Sequence, residues 1–313
     1  MTIAALCLNL CNYEKYDMKL VAGSDLVNLV RTVSGDAAEL PFSLSLDKLE
    51  RETYNSGKEK ALTAVIAMRH GESTGLAAVG VNHPYFFHQY GIYLFDLGQV
   101  PSGEDYVRLK VTVSKFRVPV FIGLVLMIAS SVFLLACAVA QLWRRKKKGL
   151  FAVLLLVMAA SVALIMTRMN PMLRSAEVPP ILRSVWFLPH VIAYVVSYAL
   201  MACAWIAAFT AMVKHDTDSP AGEIFAAGLS LYTLGLVLGV FWAHYAWGSF
   251  WSWDIKETLA LITWAYGMGL LPFLRPLRTR PGVVFFLTTV FMLLLLLCWF
   301  GPSLFRLGGM HSY

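Results

Sequence analysis

The chain has 313 residues, 58% of them hydrophobic and only 14% charged, with a mean hydropathy of +0.64. Soluble chains carry about 25% charge, so the shortfall, with nine Trp and thirteen Met, excludes a disordered chain and points to a membrane protein. The net charge of +7 does not signal nucleic acid, because residues 1–115 hold 11 Lys/Arg against 13 Asp/Glu while residues 116–313 hold 15 against 6. The basic excess therefore belongs to the hydrophobic part, as orientation charge does.

Residues 1–116 read as a water-facing, strand-rich domain. Strands are predicted at Phe42–Leu46, Leu62–Met68, Ala77–Val81, Ile92–Phe95 and Tyr106–Lys115. In the last of these Val107, Leu109, Val111 and Val113 alternate with polar residues, the period of a half-buried strand. Asn55-Ser56-Gly57, Gly71, Asn82-His83-Pro84 and Pro101-Ser102-Gly103 supply the turns between them.

Six apolar segments follow, at about 118–143, 149–167, 187–213, 222–246, 257–274 and 282–300, each near the ~20 residues that cross a bilayer. The predicted fold is an all-α polytopic membrane protein of about six transmembrane helices with an N-terminal β-rich extracytoplasmic domain. Its divisions are that domain at 1–116, a first transmembrane helix at 117–143 and a membrane domain at 149–313. Three short loops carry nine basic residues: Arg144, Arg145, Lys146, Lys147, Lys148, Lys214, Arg275, Arg278 and Arg280. The opposite loops are longer and hold Arg168, Arg174, Arg183, Lys256 and Arg306. The first set is therefore expected in the cytoplasm, which puts residues 1–117, 168–186, 247–256 and 301–313 outside.

An outward N-terminal domain needs an export signal, and Met1–Leu10 is too short an apolar run and lacks a basic n-region and a cleavage site. Either the chain is a piece of something longer or its first span carries the domain across; the first is the expectation adopted. Cys7 and Cys11 stand near the start, and Cys137, Cys203 and Cys298 fall in apolar runs with no C-x-x-C pair. That disfavours a zinc ribbon, a dithiol redox motif and a covalently held c-type haem on this chain.

The most informative stretch is Phe241 to Trp264, FWAHYAWGSFWSWDIKETLALITW, with Trp at 242, 247, 251, 253 and 264. An interfacial belt accounts for one or two of these rings. Four within twelve residues, crowded around a Gly and followed by Asp254-Ile255-Lys256-Glu257, also suit a flat, polarisable ligand with a charged edge, such as haem. Both readings stay open on composition. Asp254 with Glu257 also forms a capping box for the next helix, which does not stop Lys256 from meeting a haem propionate.

This segment, W-G-S-F-W-S-W-D-I-K-E-T followed by A-L-I-T-W, resembles the tryptophan-rich "WWD" signature of haem-handling proteins, and its W-x-W-D-x-K-E form is similar to the CcsA/ResC branch of System II cytochrome c biogenesis. His190, with Val191, Ser197, Tyr198 and Ala199, is similar to the family's outward histidine before the signature. The ending Gly-Gly-Met-His-Ser-Tyr is similar to the second, here His311. Leu40-Pro41-Phe42, Asn55-Ser56-Gly57-Lys58, Val81-Asn82-His83-Pro84, Tyr90, Tyr93 and Pro119 resemble the end of CcsB/ResB, so the whole is similar to the back of a natural CcsBA-type fusion.

The resemblance implies cytochrome c biogenesis in the cell inner (cytoplasmic) membrane. A haem lyase component would bind haem b at the extracytoplasmic face and attach it covalently to the C-x-x-C-H motif of an apocytochrome c. A haem-binding or haem-delivery module without ligation activity is the alternative. The implied haem site comprises His190 and His311 as axial iron ligands with Trp242, Trp247, Trp251, Trp253, Asp254 and Lys256 around the macrocycle, chiefly in 241–257. No catalytic nucleophile is expected, because the thiols come from the substrate. Implied partners are the apocytochrome, a CcsB/ResB-type subunit or further N-terminal spans, a thiol reductant system and the bilayer; nucleic acid is not among them. Two departures stand out. His244 replaces the family's usual Asn, either as an ordinary polar exchange or as an extra haem contact. Leu271, Pro272 and Phe273 stand where the family carries a membrane-embedded histidine. His70, His83, His88 and His215 read as ordinary polar residues.

Overall fold

The computed structural model describes residues 13–32, 34–54, 59–101, 103–145, 148–174 and 180–304. Eight strands come first: β1 (Tyr13–Val21), β2 (Val27–Thr32), β3 (Ala37–Thr53), β4 (Glu59–His70), β5 (Ser73–Gly80), β6 (Tyr85–Phe87), β7 (Tyr90–Gln99) and β8 (Asp105–Ser114). They form one sheet in the order β5-β4-β3-β2-β1-β8-β7-β6, antiparallel throughout. The two edge strands β5 and β6 are neighbours in sequence, and the turn between them is closed by paired Gly80 and His83 backbone hydrogen bonds of 3.0 Å each. Edges joined by so short a turn require the sheet to curl on itself, towards a barrel. Leu20, Phe42, Leu44, Ile66, Val79, Ile92, Leu109 and Val111 fill the inside and are at most 2% exposed.

All five expected strands are present, and β3 is far longer than its apolar kernel at 42–46. Three strands carry too weak a pattern to read: β1 is largely polar on its outer face, β2 is short, and β6 has three residues.

The helices are α1 (Arg117–Arg144), α2 (Lys148–Arg174), α3 (Phe187–Lys214), α4 (Ala221–Trp247), α5 (Ile255–Leu274) and α6 (Pro281–Leu304). Six helices among the described residues are long and apolar enough to cross a membrane, and they match the six predicted segments closely. The one clear difference is α2, whose apolar run ends at Thr167 while its backbone stays helical to Arg174. Hydropathy locates the membrane part of a helix and is blind to a polar extension of it. Helix α4 is the most buried of the six, with 78% of its apolar stretch buried against 11–33% in the other five.

The chain divides into two compact units, residues 1–123 with 170–187 and 240–250, and residues 124–169 with 188–239 and 251–313. The first gathers the strand region, the start of α1, the 3-10 turn Pro180–Leu182 and the last turns of α4. Asn82 ties two of these together, its Nδ2 donating to the Pro180 carbonyl at 2.8 Å and to that of Ile181 at 3.2 Å.

In the second unit Arg145 closes the end of α1 against the start of α4. Its guanidinium reaches Glu223 at 2.7 Å and Asp218 at 3.0 Å and donates to the Asp218 and Ser219 carbonyls. The Arg145 and Glu223 side chains are only 11% and 14% exposed, so this pair sits in the regime where removing one partner strands a desolvated charge. Arg145→Met is expected to cost about 3 kcal/mol and lower the thermal midpoint in detergent. Adding Glu223→Gln should recover part of the loss.

Candidate functional site

His190 lies in the first turn of α3, half-buried against α4. Its Nδ1 is 2.8 Å from the Gly235 carbonyl oxygen. A carbonyl only accepts, so Nδ1 carries a proton, and in the neutral ring Nε2 carries the lone pair. The ring fits there because position 239 lacks a side chain: a Cβ on Gly239 would stand 2.6 Å from Cε1 and 2.8 Å from Nδ1. One turn along, Tyr194 packs on Gly235, where an added Cβ would meet its ring at 3.1 Å. Farther down, the Ser197 hydroxyl donates to the Gly228 carbonyl at 2.8 Å. Gly228, Gly235 and Gly239 share one face of α4 by spacing, and α3 fills the space they leave.

The tryptophan-rich stretch straddles the two units. In the first, Trp242 and Trp247 are buried beside Leu182 and Ala243, their rings 5.0 Å apart. Trp242 Nε1 donates to the Ile181 carbonyl at 3.3 Å. Trp186 stacks on Phe241 at 4.9 Å and 21°. Helix α4 ends at Gly248, which takes a left-handed φ of +80° and lies so close to Tyr93 that a Cβ would come within 2.8 Å of its ring. His244, 3% exposed, is stacked on Phe250 at 4.0 Å and on Phe86 at 5.5 Å, with Tyr93, Phe121 and Tyr245 around its edge. Neither ring nitrogen has a hydrogen-bond partner among the described residues.

In the second unit Trp251 is buried and Trp253 is 53% exposed, their rings edge to face at 6.3 Å. Trp253 is held at φ +58°, a left-handed conformation that costs a non-glycine residue about 1–3 kcal/mol. Glu257 is what holds it. Its Oε2 accepts from the Ser252 N–H at 2.7 Å, the Ser252 hydroxyl at 2.9 Å and the Asp254 N–H at 3.3 Å, so the residues on both sides of Trp253 are pinned to one carboxylate oxygen. Asp254 is the N-cap of α5, accepting from the Lys256 N–H at 3.0 Å and completing the capping box read from sequence. The Lys256 carbonyl accepts from the Cys298 thiol at 3.7 Å.

Of the residues singled out in sequence, the second unit holds His190, Trp251, Trp253, Asp254 and Lys256. The first unit holds Trp242 and Trp247, and His311 lies outside the described residues. Sequence reasoning missed Trp186 and the glycine seat of His190. The four-residue spacing of Gly235 and Gly239 on an apolar helix was the available signal.

The fold and these features define a multi-pass membrane protein with a seated histidine and an exposed, conformationally strained tryptophan beside a capped helix. Residues 119–309 match the family model described as Cytochrome C assembly protein, and the chain belongs to that family. It is similar to Cytochrome c biogenesis protein CcsA of Chlamydomonas reinhardtii, 31% identical over 166 residues that cover 45% of this chain and 44% of the relative. It is similar to the protein of the same name from Hordeum vulgare, 28% identical over 165 residues and 50% of each chain. With that from Oryza sativa it shares 36% identity over 100 residues, 31% of this chain and 30% of the relative. The chain thus spans half or less of the length of these curated relatives, and the strand region lies outside the family match.

Two substitutions test this arrangement. Glu257→Ala should release both neighbours of Trp253 and cost about 1–2 kcal/mol, with a shift in Trp253 fluorescence read in a variant keeping only that indole near the site. Gly248→Ala adds a left-handed penalty and a clash with Tyr93, about 2 kcal/mol or more, seen as a lower thermal midpoint.

Proposed function

We propose that this chain acts in cytochrome c biogenesis by binding haem at the extracytoplasmic membrane face and promoting its covalent attachment to the C-x-x-C-H motif of an apocytochrome c. The observation that carries the reading is the His190 seat. An imidazole whose Nδ1–H is fixed on a backbone carbonyl offers Nε2 as a σ-donor in a set direction, the usual arrangement behind a metal-binding histidine.

Haem is here the substrate. His190 would hold the iron through Nε2, and His311 would supply a second imidazole. Trp253, exposed and rigidly presented, contacts the macrocycle. Trp251 shapes the apolar surroundings, and Lys256 meets a propionate, with Asp254 orienting the start of α5. Each thioether forms by addition of a substrate thiol S–H across a haem vinyl C=C, with no group lost and no oxidant consumed. The protein's contribution is to hold vinyl and thiol together and to exclude water. The histidine of the C-x-x-C-H motif would take the place of one of these imidazoles, so their hold on the iron would be exchangeable.

The positive-inside distribution supports an outward strand region and an outward tryptophan-rich segment in a cytoplasmic membrane. The strand region, 1–116, is read as the end of a CcsB/ResB-like domain on its V-N-H-P and related motifs. Further spans or a partner subunit of that type, together with a thiol reductant, complete the system.

In purified, haem-loaded protein, His190→Ala and His311→Ala should each abolish the six-coordinate low-spin absorption bands. Gly239→Ala should weaken haem binding about 10–100-fold, the scale of losing a supporting contact to a ligating histidine. Unchanged bands in both histidine variants contradict the assignment. Co-expression with an apocytochrome, scored for covalent haem, separates ligation from haem binding alone.

A further inference from the structure

At the helix ends that meet the basic loops, the second unit holds a cavity of about 210 Å³. The last turns of α3 and α5, the first turns of α4 and α6 and the C-terminal half of α1 bound it. Leu134, Leu271, Leu274 and Val284 wall it, and Ala211 and Ala226 are too short to fill it. Two arginines stand at its edge. After α5 the chain makes a 3-10 turn, Pro276–Thr279, and the Arg278 N–H donates to the Arg275 carbonyl at 3.2 Å. Side chains three residues apart eclipse in such a turn, so Arg275 and Arg278 share one side, and both line the cavity. Arg280 belongs to the same connection and does not line it.

No ion pair joins either guanidinium to a carboxylate among the described residues. Two acids also line the cavity, Asp216 and Glu223. Glu223 is held by Arg145 at 2.7 Å, and Asp216 Oδ1 accepts from the Asp218 N–H at 2.8 Å. With Glu223 neutralised by Arg145, two eclipsed cations face one carboxylate, and the cavity keeps a positive excess. An anion placed between Arg275 and Arg278 would relieve their mutual repulsion.

We propose that this cavity binds one anionic phospholipid of the bilayer, its phosphate between Arg275 and Arg278 and the upper part of an acyl chain along the apolar wall. A planar guanidinium takes phosphate oxygens in pairs, and basic pockets between membrane helices receive lipid headgroups. Pockets that enclose a whole drug-sized ligand measure roughly 300–1,000 Å³. A space of about 210 Å³ therefore takes a headgroup and part of a chain whose remainder stays in the bilayer. The positive excess selects an anionic lipid over a zwitterionic one. The inference rests on the membrane-spanning helices and is independent of the haem reading.

The test uses the full chain, free of haem, in detergent with added phosphatidylglycerol, and counts retained lipid by native mass spectrometry. One molecule per chain is expected to saturate first. Arg275→Gln combined with Arg278→Gln should weaken retention about 30-fold, the scale of two basic contacts to an anionic headgroup. Arg280→Gln should leave it nearly unchanged. All three arginines are exposed, and an unchanged thermal midpoint without lipid confirms the fold of each variant. Ala211→Leu, which fills part of the apolar wall, should weaken retention with the arginines intact. Equal loss in Arg280→Gln, or full retention in the double variant, overturns the site. Full retention in Ala211→Leu overturns the place given to the acyl chain. Phosphatidylethanolamine held as strongly overturns the anionic choice, and equal competition by inorganic phosphate overturns the lipid as occupant. Because no haem is present, these outcomes are separate from the fate of the haem assignment.

Discussion

Three glycines on one face of α4 let α3 set its polar groups against main-chain carbonyls inside an apolar helix pair. His190 and Ser197 both donate to α4 backbone oxygens, those of Gly235 and Gly228. In lipid a polar side chain must find its partner within the protein, and a glycine exposes the carbonyl that a larger residue would shield. The same contact that satisfies His190 also fixes its tautomer and ring plane. A single constraint, the absence of a side chain at 239, thereby links helix packing to the chemistry at the imidazole. A hydroxyl is enough for the buried hydrogen bond at 197, whereas the imidazole at 190 carries a second ring nitrogen besides the one that anchors it.

A second constraint acts through backbone strain. The chain turns left-handed at Gly248 and again at Trp253. The first is cheap, since glycine adopts that conformation freely. The second is opposed by the Trp Cβ and persists because Glu257 binds the amides on both sides. Strain of this kind concentrates where a side chain must be presented, and Trp253 is the exposed indole of the segment in the second unit. Trp242 and Trp247 are buried and serve as packing for the last turns of α4 in the first. Four tryptophans that look alike in sequence therefore divide into structural rings and a presented one.

The six helices are legible in the sequence because a run of about twenty apolar residues is the length that crosses a bilayer as a helix. Strand β8 is legible from strict alternation, and the capping box from Asp254 and Glu257 alone. Strands β1 and β6 are not, since a mostly polar strand and a three-residue edge take their identity from neighbours distant in sequence. The role proposed for His190 is legible in sequence only by resemblance. Its seat is legible only as a helix-packing signal, because the spacing of Gly235 and Gly239 announces a close approach without saying that an imidazole makes it. His244 shows the opposite limit: the sequence leaves an ordinary polar exchange and an extra haem contact open, and says nothing of the stacking on Phe86 and Phe250 that encloses the ring.

The central claim is that the Gly235 carbonyl holds His190 as the Nδ1–H tautomer, the state on which the proposed iron binding through Nε2 rests. The direct measurement is the pair of ring 15N chemical shifts of His190 in haem-free protein, assigned by comparison with His190→Gln. The expected result is a protonated, pyrrole-type Nδ1 and an unprotonated, pyridine-type Nε2, with that preference lost in Gly239→Ala. A proton on Nε2 in the native chain would contradict it.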